Sequence, residues 1–95
     1  MKIEVNTIVK VVAKEYGCDE DKILFKGRKK NMPRDIAIYL ARDLTGESGV
    51  KLGRYFGNIS GAGITVRYTY LSNAMIKNPK LTKQINRLKR KIINI

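Results

Sequence analysis

Apolar residues return every three or four positions along most of this chain, the spacing of one buried helical face. Val5, Val9, Val12 and Tyr16 repeat in this way, as do Ile36, Leu40 and Leu44, then Ile64, Tyr68, Leu71 and Met75, and finally Leu81, Ile85, Leu88 and Ile92. The pattern breaks at Gly17, Pro33, Gly46, Gly57 and Pro79, residue types that end helices or occupy their first turn. A helix is expected from Ile3 to Tyr16. A short second helix should be capped by Asp19, with Glu20 and Asp21 at the positive end of its dipole and Cys18 and Ile23 in the staple positions. A third helix should hold Pro33 and Asp35 near its start and end near Thr45. A fourth should run from a Ser48 cap through Phe56, and a fifth from Gly61 to Lys77. A sixth should open with Asn78 as cap and Pro79 at its first position. The expected fold is all-α, about six helices, in one domain over 1–95.

Charge is unevenly placed on this frame. Residues 1–25 carry four lysines and five acids; residues 26–95 carry 16 basic residues and only Asp35, Asp43 and Glu47. Segregated positive charge is the footprint of a polyanionic partner. The chain has no histidine and one cysteine, which removes the commonest general base and excludes an internal disulfide or a cysteine metal cluster. No catalytic residue, metal ligand or cofactor is expected. No apolar run approaches the ~20 residues that cross a bilayer, and Met1 to Ala13 does not read as a signal peptide. A cytoplasmic location on the nucleoid follows as an expectation.

The stretch "RYFGNISGAGITVRYTY" concentrates these features. A short helix, a tight turn with glycine and a longer helix over about 48–77 make a helix-turn-helix. Gly53 should let the second helix pack closely on the first, and Gly57 should supply the positive φ that reverses the chain. The second helix can then present its N-terminal end to a DNA major groove. Small residues at Ser60, Gly61 and Gly63 let backbone approach the duplex, where the first free amides suit phosphate. With Ile64, Tyr68 and Leu71 inward, Ala62, Thr65, Val66 and Thr69 should face out. The threonines can bond base edges or phosphate, and Ala62 and Val66 can touch a thymine methyl. Arg67 should either reach phosphate or flank the core. In the basic loop Lys26 to Lys30, Arg28 is expected in an adjacent minor groove. Lys29, Lys30 and Arg34 should lie on phosphates, and Lys51 and Arg54 of the first motif helix complete the expected set.

These residues carry a resemblance. From Ile8 to Leu71 the chain resembles the C-terminal DNA-binding domain of the bacterial replication initiator DnaA, domain IV, a Trp-repressor-like helix-turn-helix. "VAKEYG" resembles that family's first helix and "PRDIAIYLARDLTG" its proline-arginine helix. "SGVKLGRYFGNISGAGI" matches its helix-turn-helix without a gap. Phe56, Gly57 and Ile64 agree with the family signature of phenylalanine, two glycines, arginine, aspartate, histidine, two threonines and valine. Asn58 stands for a glycine and Ile59 for the arginine, while Ser60, Gly61 and Ala62 stand where the family has aspartate, histidine and threonine. Arg28 best matches its minor-groove arginine. "YLARDLTGESGVKLGRYFGNISGAGITVRY" and "NPKLTKQINRLKRKI" are similar to the DnaA-like tail of REP-associated transposases. The nuclease of those proteins uses a tyrosine and a histidine pair, so the resemblance implies an accessory domain.

The expected partner is double-stranded DNA, with no membrane partner. An RNA-binding module and a protein-interaction module docking through the sixth helix are the alternatives. The basic, amphipathic C-terminal segment could also lie on a bilayer.

Overall fold

The computed structural model describes residues 2–25 and 30–94. The described residues form α1 (Val5–Tyr16), α2 (Glu20–Leu24), α3 (Met32–Thr45), α4 (Gly49–Tyr55), α5 (Gly61–Lys77) and α6 (Pro79–Ile93). The all-α expectation holds, and strands are absent among the described residues. Helix α1 starts at Val5 rather than Ile3. Its N-cap is Glu4, whose side chain caps nothing.

Local chemistry sets most boundaries. Gly17 and Gly46 end α1 and α3 in the left-handed conformation, which glycine adopts without steric cost. Ser48, Ser60 and Asn78 each accept a bond from an amide three residues on, opening α4, α5 and α6. Asp19 occupies the N-cap of α2 but its carboxylate makes no cap bond. Asn31 caps α3 instead of leaving that start to Pro33 alone: it accepts from the Arg34 amide at 3.1 Å and donates to the Lys22 carbonyl at 2.6 Å.

Helix α3 is the centre of the molecule and packs on α1, α2, α4 and α5. Ile36, Ala37, Ile38, Leu40 and Ala41 are all buried, so it is apolar nearly all round over that stretch, as a surrounded helix must be. Ile8, Val9 and Val12 of α1, Leu52 and Phe56 of the α4 region, Ile64 and Leu71 of α5, and Ile85, Leu88 and Ile92 of α6 join it in one core cluster. Cys18 is half-buried against the same cluster, which includes Ile23.

Candidate nucleic-acid interface

The turn between α4 and α5 is built on two successive residues with positive φ, Gly57 at 80° and Asn58 at 61°. Asparagine is among the side chains that tolerate this region best. That accounts physically for Asn58 where the related motif has a second glycine. The turn folds back so tightly that a Cβ on Gly53 would lie 2.0 Å from the Ile59 carbonyl oxygen, while the Ile59 amide donates to the Gly53 carbonyl at 3.1 Å. Gly53 therefore admits the turn, not the second helix as its spacing suggested. The residue that meets α5 is Gly49, whose added Cβ would stand 3.3 Å from the Gly61 Cα.

Beneath the turn lies Arg34, 5% exposed. Its Nη2 donates to the Phe56 carbonyl at 2.7 Å, satisfying the C-cap residue of α4. Burial pulls its pKa down, with the Asp35 charge opposing. This corrects the expectation of a phosphate contact: the guanidinium is spent on a buried carbonyl. Asp35, also buried, has its pKa raised by loss of water, against the pull of Arg67. Arg67 turns toward it, Nη1 lying 3.5 Å from Asp35 Oδ2. Of the two roles expected for Arg67, flanking the core is the one observed.

The start of α5 is open. Ser60 and Ala62 are exposed, and Gly61 and Gly63 are half-buried. The Ser60 hydroxyl accepts from the Gly63 amide at 3.0 Å, so this amide is not free for phosphate, and Gly61 and Ala62 supply the outward donors of the first turn. Serine and aspartate are interchangeable N-caps, which makes Ser60 a conservative change from the motif's aspartate. Ala62, Thr65, Val66 and Thr69 share the exposed face, Val66 being 56% exposed. Val50 of α4, 60% exposed, lies beside Gly61 and extends the face.

Like Val50, a second residue of this face lay outside the sequence expectations. Arg42 of α3 donates from Nη1 to Thr65 Oγ1 at 3.3 Å, and its guanidinium covers the Tyr68 ring at 4.6 Å. Tyr68 stacks on Tyr39 at 4.8 Å, and Lys89 of α6, paired with Asp43, lies 5.8 Å from the Tyr39 ring. Four side chains from three helices form this column. The place of Arg42 in the last turn of α3 suits a cation on its own account. The pairing spans 23 residues, and no local spacing announces it.

Lys30, Arg54 and Lys51 are the other described cations expected at this interface. Lys30 sits over the Tyr70 ring at 5.1 Å, placing the end of the basic loop alongside α5. Arg54 is exposed on α4. Lys51 is exposed but bonds Glu47 at 3.1 Å, which offsets its charge. Arg28 and Lys29 lie outside the described residues. No group of metal-ligating side chains occurs among the described residues, and no described helix is long and apolar enough to cross a membrane.

A short helix, a positive-φ turn and a second helix with an open, acid-free start define a DNA-binding helix-turn-helix domain. Residues 5–65 match the family model described as the bacterial DnaA protein helix-turn-helix, and the chain belongs to that family. Over 93 residues it is 36% identical to the chromosomal replication initiator protein DnaA of Limosilactobacillus reuteri, and 31% identical to that of Deinococcus radiodurans. The same protein of Caldanaerobacter subterraneus is 36% identical. Each alignment covers 96% of this chain and 20% or 21% of the relative, so the chain spans about a fifth of their length.

Proposed function

We propose that this domain binds double-stranded DNA by setting the start of α5 in a major groove. The observation that carries the reading is the exposed, acid-free face of Ala62, Thr65, Val66 and Thr69 around the Ser60-capped helix start. The amides of Gly61 and Ala62 suit a phosphate at the positive end of the helix dipole. Lys30, Arg42 and Arg54 flank the groove for further phosphates, Lys51 contributes weakly beside Glu47, and the basic loop offers Arg28 to an adjacent minor groove and Lys29 to phosphate. The face offers methyl groups and hydroxyls and lacks the motif's histidine at Gly61. It is therefore built for fit and backbone contact more than for dense base readout. The DnaA relatives support duplex DNA as the partner on the nucleoid. The similarity of 39–68 and 78–92 to the tail of REP-associated transposases supports a non-catalytic accessory role in such a protein or in a replication-related one.

Selection of bound duplexes from a random pool tests the specificity, and a salt titration tests the contact. Affinity should fall with a log–log slope of roughly −5 to −7, as expected for ~5–8 phosphates. Thr65→Ala and Val66→Glu should weaken binding in a folded chain. Binding that is indifferent to Val66→Glu, or equal for duplex and any other polyanion, overturns the proposal.

A further inference from the structure

Helix α6 carries a stripe that the helix-turn-helix does not use. Lys80, Lys83, Arg87 and Arg90 are all exposed and follow one another at three, four and three residues, the spacing of a single helical face. The other side of α6 is committed to the core through Ile85, Leu88 and Ile92. Like charges at these spacings repel, and Lys80 and Lys83 stand near the positive end of the α6 dipole, where no acid offsets them. Helix stability alone favours the opposite arrangement. The acid that reaches this side is Glu15 of α1, which holds Arg87 and Lys91. Lys80, Lys83 and Arg90 have no acidic partner among the described residues.

The stripe starts far from the groove-reading turn, while Lys89, which is not part of it, joins α6 to the Arg42 column through Asp43 and the Tyr39 ring. The beginning of the stripe follows α5, whose 17 residues rise about 25 Å from the Ser60 end. Its later part lies at the Glu15 end of α1, whereas Glu47, which precedes α4, is paired with Lys2 at the opposite end of α1. Twelve residues, about 18 Å of helix, separate them.

We propose that the Lys80–Lys83–Arg87–Arg90 face of α6 holds the backbone of a second double-stranded DNA segment while the helix-turn-helix engages the first, a proposal that rests on the DNA-binding reading of α5. The line from residue 80 to 90 runs about 15 Å, and duplex phosphates offer a matching row of charge. The apolar side of α6 is already buried, so the helix cannot lay it into a bilayer. The face has no aromatic side chain on which unpaired bases could stack, which disfavours single strands and RNA loops.

The test is a two-step capture. The chain is bound to an immobilised short duplex, then offered a second, fluorescent duplex, while circular dichroism monitors folding. Lys83→Glu with Arg90→Glu should leave first-duplex binding within about threefold and lower second-duplex capture about tenfold or more, the loss of two phosphate contacts. The neutral pair Lys83→Gln and Arg90→Gln gives the same direction if the reversed charges disturb folding. Ala62→Glu with Val66→Glu should abolish the first step instead. Undiminished capture by both α6 pairs overturns this proposal and leaves the helix-turn-helix reading standing; an intact first step in the α5 pair overturns that reading. Preferential capture of an RNA hairpin or of phosphatidylserine vesicles over the second duplex also overturns the proposal.

Discussion

Arg34 and Arg42 stand eight residues apart on α3, carry the same charge and have opposite fates. Arg34 faces inward and serves a backbone carbonyl; Arg42 faces outward and steadies a hydroxyl on the reading face. Their neighbours in space, not in sequence, decide between these roles. Phe56 and Thr65 arrive from elements 22 and 23 residues away. Composition marks both only as cations, and the fold sorts them. Arg34→Ala leaves the buried Phe56 carbonyl without its donor, a cost of about 1–3 kcal/mol. Urea unfolding should show this loss, while the salt slope of DNA binding by the folded variant stays unchanged. A lowered slope with unchanged stability would return Arg34 to the DNA surface.

Among elements, the helices were the most legible part of the chain. The bounds of α5 follow from Ser60 and Gly61 at one end and the Asn78–Pro79 pair at the other, because caps act on amides within their own turn. What escaped were contacts across turns. The spacing of Gly53 and Gly57 was readable, yet the atom that demands a glycine at 53 is the Ile59 carbonyl, on a turn whose path local pattern does not fix. Gly53→Ala forces a Cβ to within 2.0 Å of that oxygen. Backbone must move, and overpacking of this kind costs about 1–3 kcal/mol. Thermal unfolding should show a clear drop in midpoint, with DNA affinity falling as well because α4 and α5 lose their mutual setting. The methyls and hydroxyls of the reading face were legible from the α5 stripe for the complementary reason: inward residues on one helix fix the outward ones.

At the scale of the molecule, α1 packs on α3 and α6, and Glu15 is its charged link to α6. The bond from Lys91, together with the charges of Arg87 and Lys91, holds the Glu15 pKa below its ordinary 4.5. A lowered folded value means that its contribution to stability is complete above 4.5 and fades as pH falls through the folded value. Glu15→Gln should lower the thermal midpoint at neutral pH by no more than a few degrees, as exposed pairs do. The gap between variant and wild type should close as pH falls below 4.5 and through the lowered folded value. A gap that persists in acid would show that the side chain acts by packing rather than by charge. The same change releases Arg87 and Lys91, so second-duplex capture should rise. The overall charge bias was plain in the sequence; its partition between the α5 face and the α6 stripe is set by packing across helices.

The mouth of α5 is lined by Ser60, Gly61, Ala62 and Gly63, and so has almost no side-chain torsions to freeze when a ligand seats against it. Association there forfeits little rotamer freedom. Calorimetry should accordingly find the displacement of condensed ions from the duplex dominating the heat–entropy balance, with a favourable entropy that shrinks as salt is raised.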